Sequence, residues 1–265
     1  MGRRVKVTID GKVFSAEEGE SLLAVALRNG IDIPHLCYEE CLEPYGSCRL
    51  CIVEVVEGFK KGITTSCTLG CVDGLKVLTN TPEIEKHRKV LFELYLAQAP
   101  NSEKLKKLAE KFGVYSTRFK EKNLKNDPLN GKCVMCGLCV RVCNDVLGVG
   151  AINFIGRGYR ATVNVPYFEE SDVCKGCKAC VEVCPVDAID YSDVGDKRVM
   201  ISWSNTKVDL IKCSVCGRYF SPLPVFGSVS KKLSEYGVVC DVCPDCRKRL
   251  IAKNMTSSGG YNSYA

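Results

Sequence analysis

Cys133-Val134-Met135-Cys136-Gly137-Leu138-Cys139-Val140-Arg141-Val142-Cys143 is answered further along by Cys174-Lys175-Gly176-Cys177-Lys178-Ala179-Cys180-Val181-Glu182-Val183-Cys184-Pro185, so C-x2-C-x2-C-x3-C occurs twice in one chain. Three thiolates this close in sequence can take three iron corners of one cube only if the backbone loops round it, and Gly137 and Gly176 relieve the crowding there. The spacing predicts two [4Fe-4S] clusters and makes electron transfer the first functional expectation. Such tight, duplicated triplets suit neither separate tetrahedral zinc sites nor strain-free disulfides.

The fourth thiolate of each cube comes from elsewhere. In two-cluster ferredoxins the last cysteine of each run ligates the other cluster. That pattern assigns Cys133, Cys136, Cys139 and Cys184 to one cube, and Cys174, Cys177, Cys180 and Cys143 to the other. The second run passes through Pro185 to Ala188-Ile189, whereas the first reaches Ala151-Ile152 only after a longer stretch containing Gly148 and Gly150. An insertion has lengthened the first half.

A chain of 265 residues has room for two or more domains, and 19 cysteines demand an explanation. A secreted disulfide protein is not expected, because no apolar h-region follows Arg3-Arg4 and the cysteines sit in metal-type groups. Apolar runs fall short of a membrane span. The expectation is a soluble, cytoplasmic protein whose thiols stay reduced and metallated. The net charge of +6 is modest, and the excess within Lys104 to Lys125 reads as a solvated helix face, with docking to an acidic partner as the alternative.

At the N-terminus Val5, Val7 and Ile9 alternate, Asp10-Gly11 turns the chain, and Val13 and Phe14 return it, which predicts a β-hairpin. A helix is expected from Ser21 to Arg28, ended by Asn29-Gly30. Then comes Cys37-x10-Cys48-x2-Cys51-x15-Cys67, set in Pro34-His35-Leu36-Cys37-Tyr38 and Tyr45-Gly46-Ser47-Cys48-Arg49-Leu50-Cys51. Two cysteines on a tight loop with one on either side can enclose a [2Fe-2S] rhomb.

This stretched motif, followed by Ile52-Val53-Glu54-Val55, resembles the N-terminal ferredoxin domain shared by the large iron-sulfur subunit of the complex I NADH module, [FeFe]-hydrogenases and the diaphorase part of NAD-linked [NiFe]-hydrogenases. The resemblance covers Val5 to Leu96 and resumes at the two-cube region. It implies Cys37, Cys48, Cys51 and Cys67 as ligands of one [2Fe-2S] cluster on a β-grasp scaffold, and leaves Cys41 and Cys71 outside the motif. Many members of that family place one His and three Cys after this domain to hold a further cube. Here no cysteine lies between Cys71 and Cys133, so that cluster is not expected. Residues 81–126 read instead as a helical spacer, with Ile84, Leu91, Leu94 and Tyr95 on one face and a second helix through Leu105, Leu108, Ala109 and Phe112. His35 is expected to pack beside the cluster loop, and neither His35 nor His87 is expected to bind iron.

Near the C-terminus, Cys213-x2-Cys216 and Cys243-x2-Cys246 predict a four-cysteine zinc ribbon with a structural role. The triplet Cys240, Cys243, Cys246 keeps a further iron-sulfur cluster open as the alternative. The expected fold class is α+β: a β-grasp [2Fe-2S] ferredoxin domain at 1–80, the helical spacer at 81–126, a bacterial-type 2[4Fe-4S] ferredoxin domain at 127–206, a zinc-ribbon-like module at 207–250 and a flexible tail at 251–265.

No Walker A sequence, catalytic triad or hydrogen-activating cysteine set is visible, and Gly156-Arg157-Gly158-Tyr159-Arg160-Ala161 does not open a helix in a βαβ unit. Electrons must enter and leave through other subunits. The resemblance implies an iron-sulfur relay subunit of a multisubunit NAD-linked or electron-bifurcating hydrogenase. Its partners would be a flavin- and NAD-binding subunit, a small [2Fe-2S] subunit, a hydrogenase or dehydrogenase module and soluble ferredoxin, with no nucleic acid. The same module in a formate dehydrogenase or another NADH-coupled reductase is the close alternative, and a non-redox zinc scaffold is the alternative of another class.

Overall fold

The protein is described from a computed structural model that covers residues 3–125, 127–227 and 241–257. Alternation of apolar and polar side chains sets β1 (Arg4–Ile9), which buries Val5, Val7 and Ile9, exposes Lys6 and leaves Thr8 half-buried. Asp10 and Gly11 take left-handed conformations, φ 48° and 78°, and turn the chain into β2 (Lys12–Glu17). Helix α1 (Leu22–Arg28) follows, one residue later than the sequence suggests, and Gly30 at φ 73° ends it.

Strands β3 (Ile52–Glu57), β4 (Gly62–Thr65) and β5 (Leu75–Leu78) complete a sheet of order β2-β1-β5-β3-β4, in which β1 and β5 are parallel and every other pair is antiparallel. A mixed sheet packed on one helix is compatible with the expected β-grasp scaffold. Leu22, Leu23, Val25 and Ala26 of α1 pack with Val53, Val55, Leu75 and Val77 of the sheet, each residue contributing roughly 1.5–3 kcal/mol where a large aliphatic group is fully buried. Cys51, Cys67 and Cys71 belong to the same apolar cluster.

The spacer contains α2 (Pro82–Gln98) and α3 (Glu103–Lys111), capped by Thr81 and Ser102, whose hydroxyls accept from the N–H groups of Ile84 and Leu105. Past Phe112 the remaining described spacer residues form neither helix nor strand. The buried row of α2 is not the expected one. Leu94 is exposed, and Arg88 instead lies buried between Ile84 and Phe92. Its guanidinium bonds to main-chain carbonyls, which makes a charged residue tolerable there.

The first cysteine run leads into α4 (Leu138–Arg141) and a π-helical turn at Val142–Val146, then to a hairpin of β6 (Asn153–Ile155) and β7 (Thr162–Asn164). The Gly156–Ala161 segment is the loop of that hairpin, as expected. The second run leads into α5 (Ala179–Glu182). Both runs use left-handed backbone at the same two places: Met135 and Gly137 in the first (φ 56° and 78°), Gly176 and Lys178 in the second (φ 59° and 67°). Each run supplies glycine at only one of the two positions.

The chain divides into two units, Met1–Asn164 with Ala179–Ile189, and Val165–Lys178 with Asp190–Ala265. The second holds a four-stranded antiparallel sheet in which β8 (Ser192–Val194), β9 (Lys197–Met200), β10 (Thr206–Lys212) and β11 (Tyr219–Pro222) follow in order. The expected boundary at 206/207 therefore cuts a sheet that runs without interruption from the ferredoxin region into the last module. That module also departs from a ribbon of two knuckles. Cys243 precedes, and Cys246 lies on, helix α6 (Pro244–Ser257), which extends well into the stretch expected to be a flexible tail. Cys240 and residues 258–265 lie outside the described residues. Among the described residues no helix is long and apolar enough to cross a membrane.

A Cβ at Gly58 would sit 2.6 Å from Leu75 Cα and 2.8 Å from Gly74 O, whereas one at Gly74 meets nothing within 4 Å; both glycines are left-handed, φ 86° and 77°. Gly74→Ala should lose roughly 1 kcal/mol of stability through backbone strain alone. Gly58→Ala should lose roughly 1–3 kcal/mol more, because backbone cannot yield cheaply. Urea unfolding of the two variants checks this, and equal midpoints would contradict it.

Candidate functional site

Loop geometry brings the first cysteine group together from both sides of β3. Cys37 lies on the loop after α1, Cys48 and Cys51 lie just before β3, Cys67 follows β4, and each is only 1% exposed. They fall into two pairs. Cys48 N–H donates to Cys37 Sγ at 3.3 Å, and a shared side-chain hydrogen bond holds Cys37 down to about 5 while pushing Cys48 up. The same interaction between Cys51 and Cys67 holds Cys51 down to about 6 and pushes Cys67 up. Two pairs of adjacent thiols fit a rhomb, each of whose irons takes two thiolates.

The surrounding main chain is tied down. Ser66 donates to the Cys51 carbonyl from both its N–H (2.9 Å) and its hydroxyl (2.7 Å). Arg88 on α2 donates from Nε to Leu50 O (3.1 Å) and from Nη2 to Ile52 O (2.6 Å), so three successive carbonyls around Cys51 are each held. Tyr95 Oη donates to Cys48 O at 3.1 Å. Gly46, at φ 68°, has Thr68 close behind it, with 3.2 Å from a Cβ to Thr68 Cγ2. His35 packs as expected, its Nδ1 2.8 Å from Ile33 O and its ring edge-on to Tyr38 at 5.9 Å between centroids. His87 is exposed.

In the second group, burial is the main force on the thiols. It pushes Cys133 up to about 11, Cys136 up to about 12 and Cys139 well above the usual thiol range. Cys184 acts on all three as a like-charged neighbour. Cys180 acts on Cys139 in the same way. Ala188 N–H donates to Cys184 Sγ at 3.2 Å and Met135 N–H to Cys133 Sγ at 3.3 Å, leaving sulfurs already oriented by main-chain donors. A dry pocket that opposes thiolate charge suits a multinuclear cation cluster, which supplies the compensating positive charge. Ser47 Oγ, next to Cys48, donates to Cys136 O at 3.4 Å, so the loops of the first two groups touch.

The third group divides between the two units: Cys143 and Cys180 in the first, Cys174 and Cys177 in the second. Arg198 Nη1 donates to Gly176 O at 2.9 Å inside the Cys174–Cys177 loop, and Nε and Nη2 of the same side chain pair with Asp193 at 2.7 and 2.8 Å.

In the fourth group Cys213, Cys216, Cys243 and Cys246 converge, with all four Sγ atoms within 4.8 Å of one another and Cys216 Sγ 3.8 Å from Cys243 Sγ. Metal–sulfur bonds of about 2.3 Å in a tetrahedron place sulfurs roughly 3.8 Å apart, whereas the thiolates capping a cube stand wider. Cys243 N–H donates to Cys213 Sγ at 3.3 Å and holds that thiol down to about 6. Cys41 is exposed, and Cys71 is buried, with burial pushing its thiol up to about 11.

Sequence reasoning found the thiols but missed Arg88, Ser47, Ser66 and Tyr95. Ser47 stood in the quoted motif and Tyr95 on the expected helix face without a role, and Arg88 left a trace by standing four residues from both Ile84 and Phe92 in an otherwise apolar row.

Comparison with known proteins agrees with this geometry. Residues 2–82 match the 2Fe-2S iron-sulfur cluster binding domain family and residues 129–191 match the 4Fe-4S dicluster domain family. The chain is 34% identical over 206 residues to an NADH-quinone oxidoreductase subunit of Rhizobium meliloti (strain 1021), covering 70% of this chain and 24% of that protein. It is 34% identical over 209 residues to the NADP-reducing hydrogenase subunit HndD of Solidesulfovibrio fructosivorans, covering 69% of this chain and 35% of that one. It therefore spans about a quarter to a third of the length of these relatives. A chain in the crystal structure of an NAD+-reducing [NiFe]-hydrogenase in the H2-reduced state matches with a TM-score of 0.54 and 29% identity, over 61% of this chain and 75% of that chain. The chain is thus similar over residues 2–82 to 2Fe-2S iron-sulfur cluster binding domains and over residues 129–191 to 4Fe-4S dicluster domains, and the relatives named here are subunits of an NADH-quinone oxidoreductase and of NAD(P)-reducing hydrogenases.

Proposed function

We propose that this chain is the iron-sulfur relay subunit of a cytoplasmic, multisubunit NAD(H)-linked hydrogenase, passing electrons between a flavin- and NAD-binding subunit, the hydrogenase module and soluble ferredoxin. Contact between the first two cysteine loops, through Ser47 and Cys136, carries the reading. Thiolate-bound clusters take up and release single electrons without making or breaking substrate bonds. Cys37, Cys48, Cys51 and Cys67 would hold one [2Fe-2S] cluster. Cys133, Cys136, Cys139 and Cys184 would hold one [4Fe-4S] cluster, and Cys174, Cys177, Cys180 and Cys143 the other. Main-chain donors at Cys37, Cys133 and Cys184 fix sulfur lone pairs, and the apolar walls around Cys136 and Cys139 keep water away.

At the C-terminal group we infer a single structural Zn2+ on Cys213, Cys216, Cys243 and Cys246, supported by the close sulfur spacing. It would join β10 to α6 in a module too small for a core of its own.

Native assembly purified under nitrogen should contain a flavin subunit and a hydrogenase, and NADH should bleach its iron-sulfur absorption. Isolated chain with clusters intact should not respond to NADH; a response there would contradict the relay reading. Cys136→Ser and Cys184→Ser should abolish the same EPR signal, with the signal lost in Cys177→Ser retained in both. Shared loss between Cys184→Ser and Cys177→Ser alone would refute the crossed ligation. Cys216→Ser should remove one zinc per chain and leave iron content unchanged, and loss of iron instead would assign the group to a cluster.

A further inference from the structure

The two arginines that brace cysteine loops differ in one respect. Arg198 is 4% exposed and fully compensated, since Asp193 takes two of its N–H groups while a third goes to Gly176 O. Arg88 is 5% exposed, and among the described residues no carboxylate lies within 4.0 Å of it. Both of its recorded hydrogen bonds go to neutral carbonyls on either side of Cys51. Asp10, Asp32 and Glu85 act on it only through space, and Asp32 and Glu85 share with it the wall of a solvent-open cavity that also carries Lys86 and Lys89.

A buried guanidinium without an anion is costly unless negative charge sits nearby. The two carbonyls that hold its guanidinium belong to Leu50 and Ile52, the residues flanking Cys51, so negative charge at Cys51 lies beside it. We infer that Arg88 is the electrostatic partner of the Cys51 end of the [2Fe-2S] site and raises the reduction potential of that centre. The inference rests on the assignment of Cys37, Cys48, Cys51 and Cys67 as its ligands. Reduction adds one negative charge to this site, and a fixed cation in a dry surrounding favours the reduced form. The forked geometry adds a second effect, since the same group fixes the peptides flanking Cys51 and hence the direction of its sulfur. Arg198 has no comparable influence because Asp193 neutralises it.

Redox titration followed by EPR, on the full chain loaded anaerobically, separates charge from geometry. Arg88→Gln removes the cation, and Arg88→Lys keeps it while losing the fork. Arg88→Gln should shift the [2Fe-2S] equilibrium at least tenfold toward the oxidised form, a fall of about 59 mV for one electron. Arg88→Lys should stay close to the parent, and the [4Fe-4S] potentials should move in neither. Should Arg88→Gln fail to hold the cluster while Arg88→Lys holds it at the parent potential, the inference stands. Equal shifts in both variants, no shift in Arg88→Gln, or loss of the cluster from both would overturn it. Absence of a [2Fe-2S] signal in the parent chain would instead refute the ligand assignment.

Discussion

Thiolates crowded into a dry space repel one another, and this chain does it repeatedly. Burial, with repulsion from neighbouring thiolates behind it, pushes Cys133 up to about 11 and Cys136 up to about 12, which opposes thiolate charge in this pocket. A cationic metal centre reverses that balance by accepting the negative charge, which couples metal loading to proton release and to folding. The coupling is direct at the β-grasp domain. Cys51 and Cys67 are members of the same apolar cluster as Val7, Leu22 and Leu75, so the site and the core share walls.

The scaffold serves the thiols in a consistent way. Main-chain N–H groups point at sulfur at Cys37, at Cys133 and Cys184, and at Cys213. Cluster loops acquire their curvature from left-handed residues at two equivalent positions per run, and the chain accepts the strain of Met135 and Lys178 there. Arginines Arg88 and Arg198 then hold carbonyls of the loops, the first uncompensated and the second neutralised by Asp193. Centres that differ in local charge in this way would have a means of differing in potential in the proposed relay.

Much of this was legible in the sequence because cysteine spacing is a local code. C-x2-C-x2-C-x3-C states its own loop, and Val5, Val7 and Ile9 state their strand. What escaped was nonlocal. Continuity of β10 with β9 and β11 joins segments that cysteine grouping had separated at 206/207, since strand pairing ignores motif boundaries. The helix carrying Cys246 escaped because a C-x2-C pair is compatible with a β-knuckle or a helix start, and only the run Pro244–Ser257 decides. Arg88 escaped because a charged residue in an apolar row reads as solvent-facing until its acceptors, distant in sequence, are known.

Relay function stands on the inorganic content of the chain. Mössbauer spectroscopy of iron-57-labelled protein, purified without oxygen, with acid-labile sulfide measured on the same sample, tests it most directly. The account predicts about ten iron and about ten sulfide per chain, divided between one [2Fe-2S] and two [4Fe-4S] centres. Zinc in place of iron at the duplicated cysteine runs, with no labile sulfide, would contradict it.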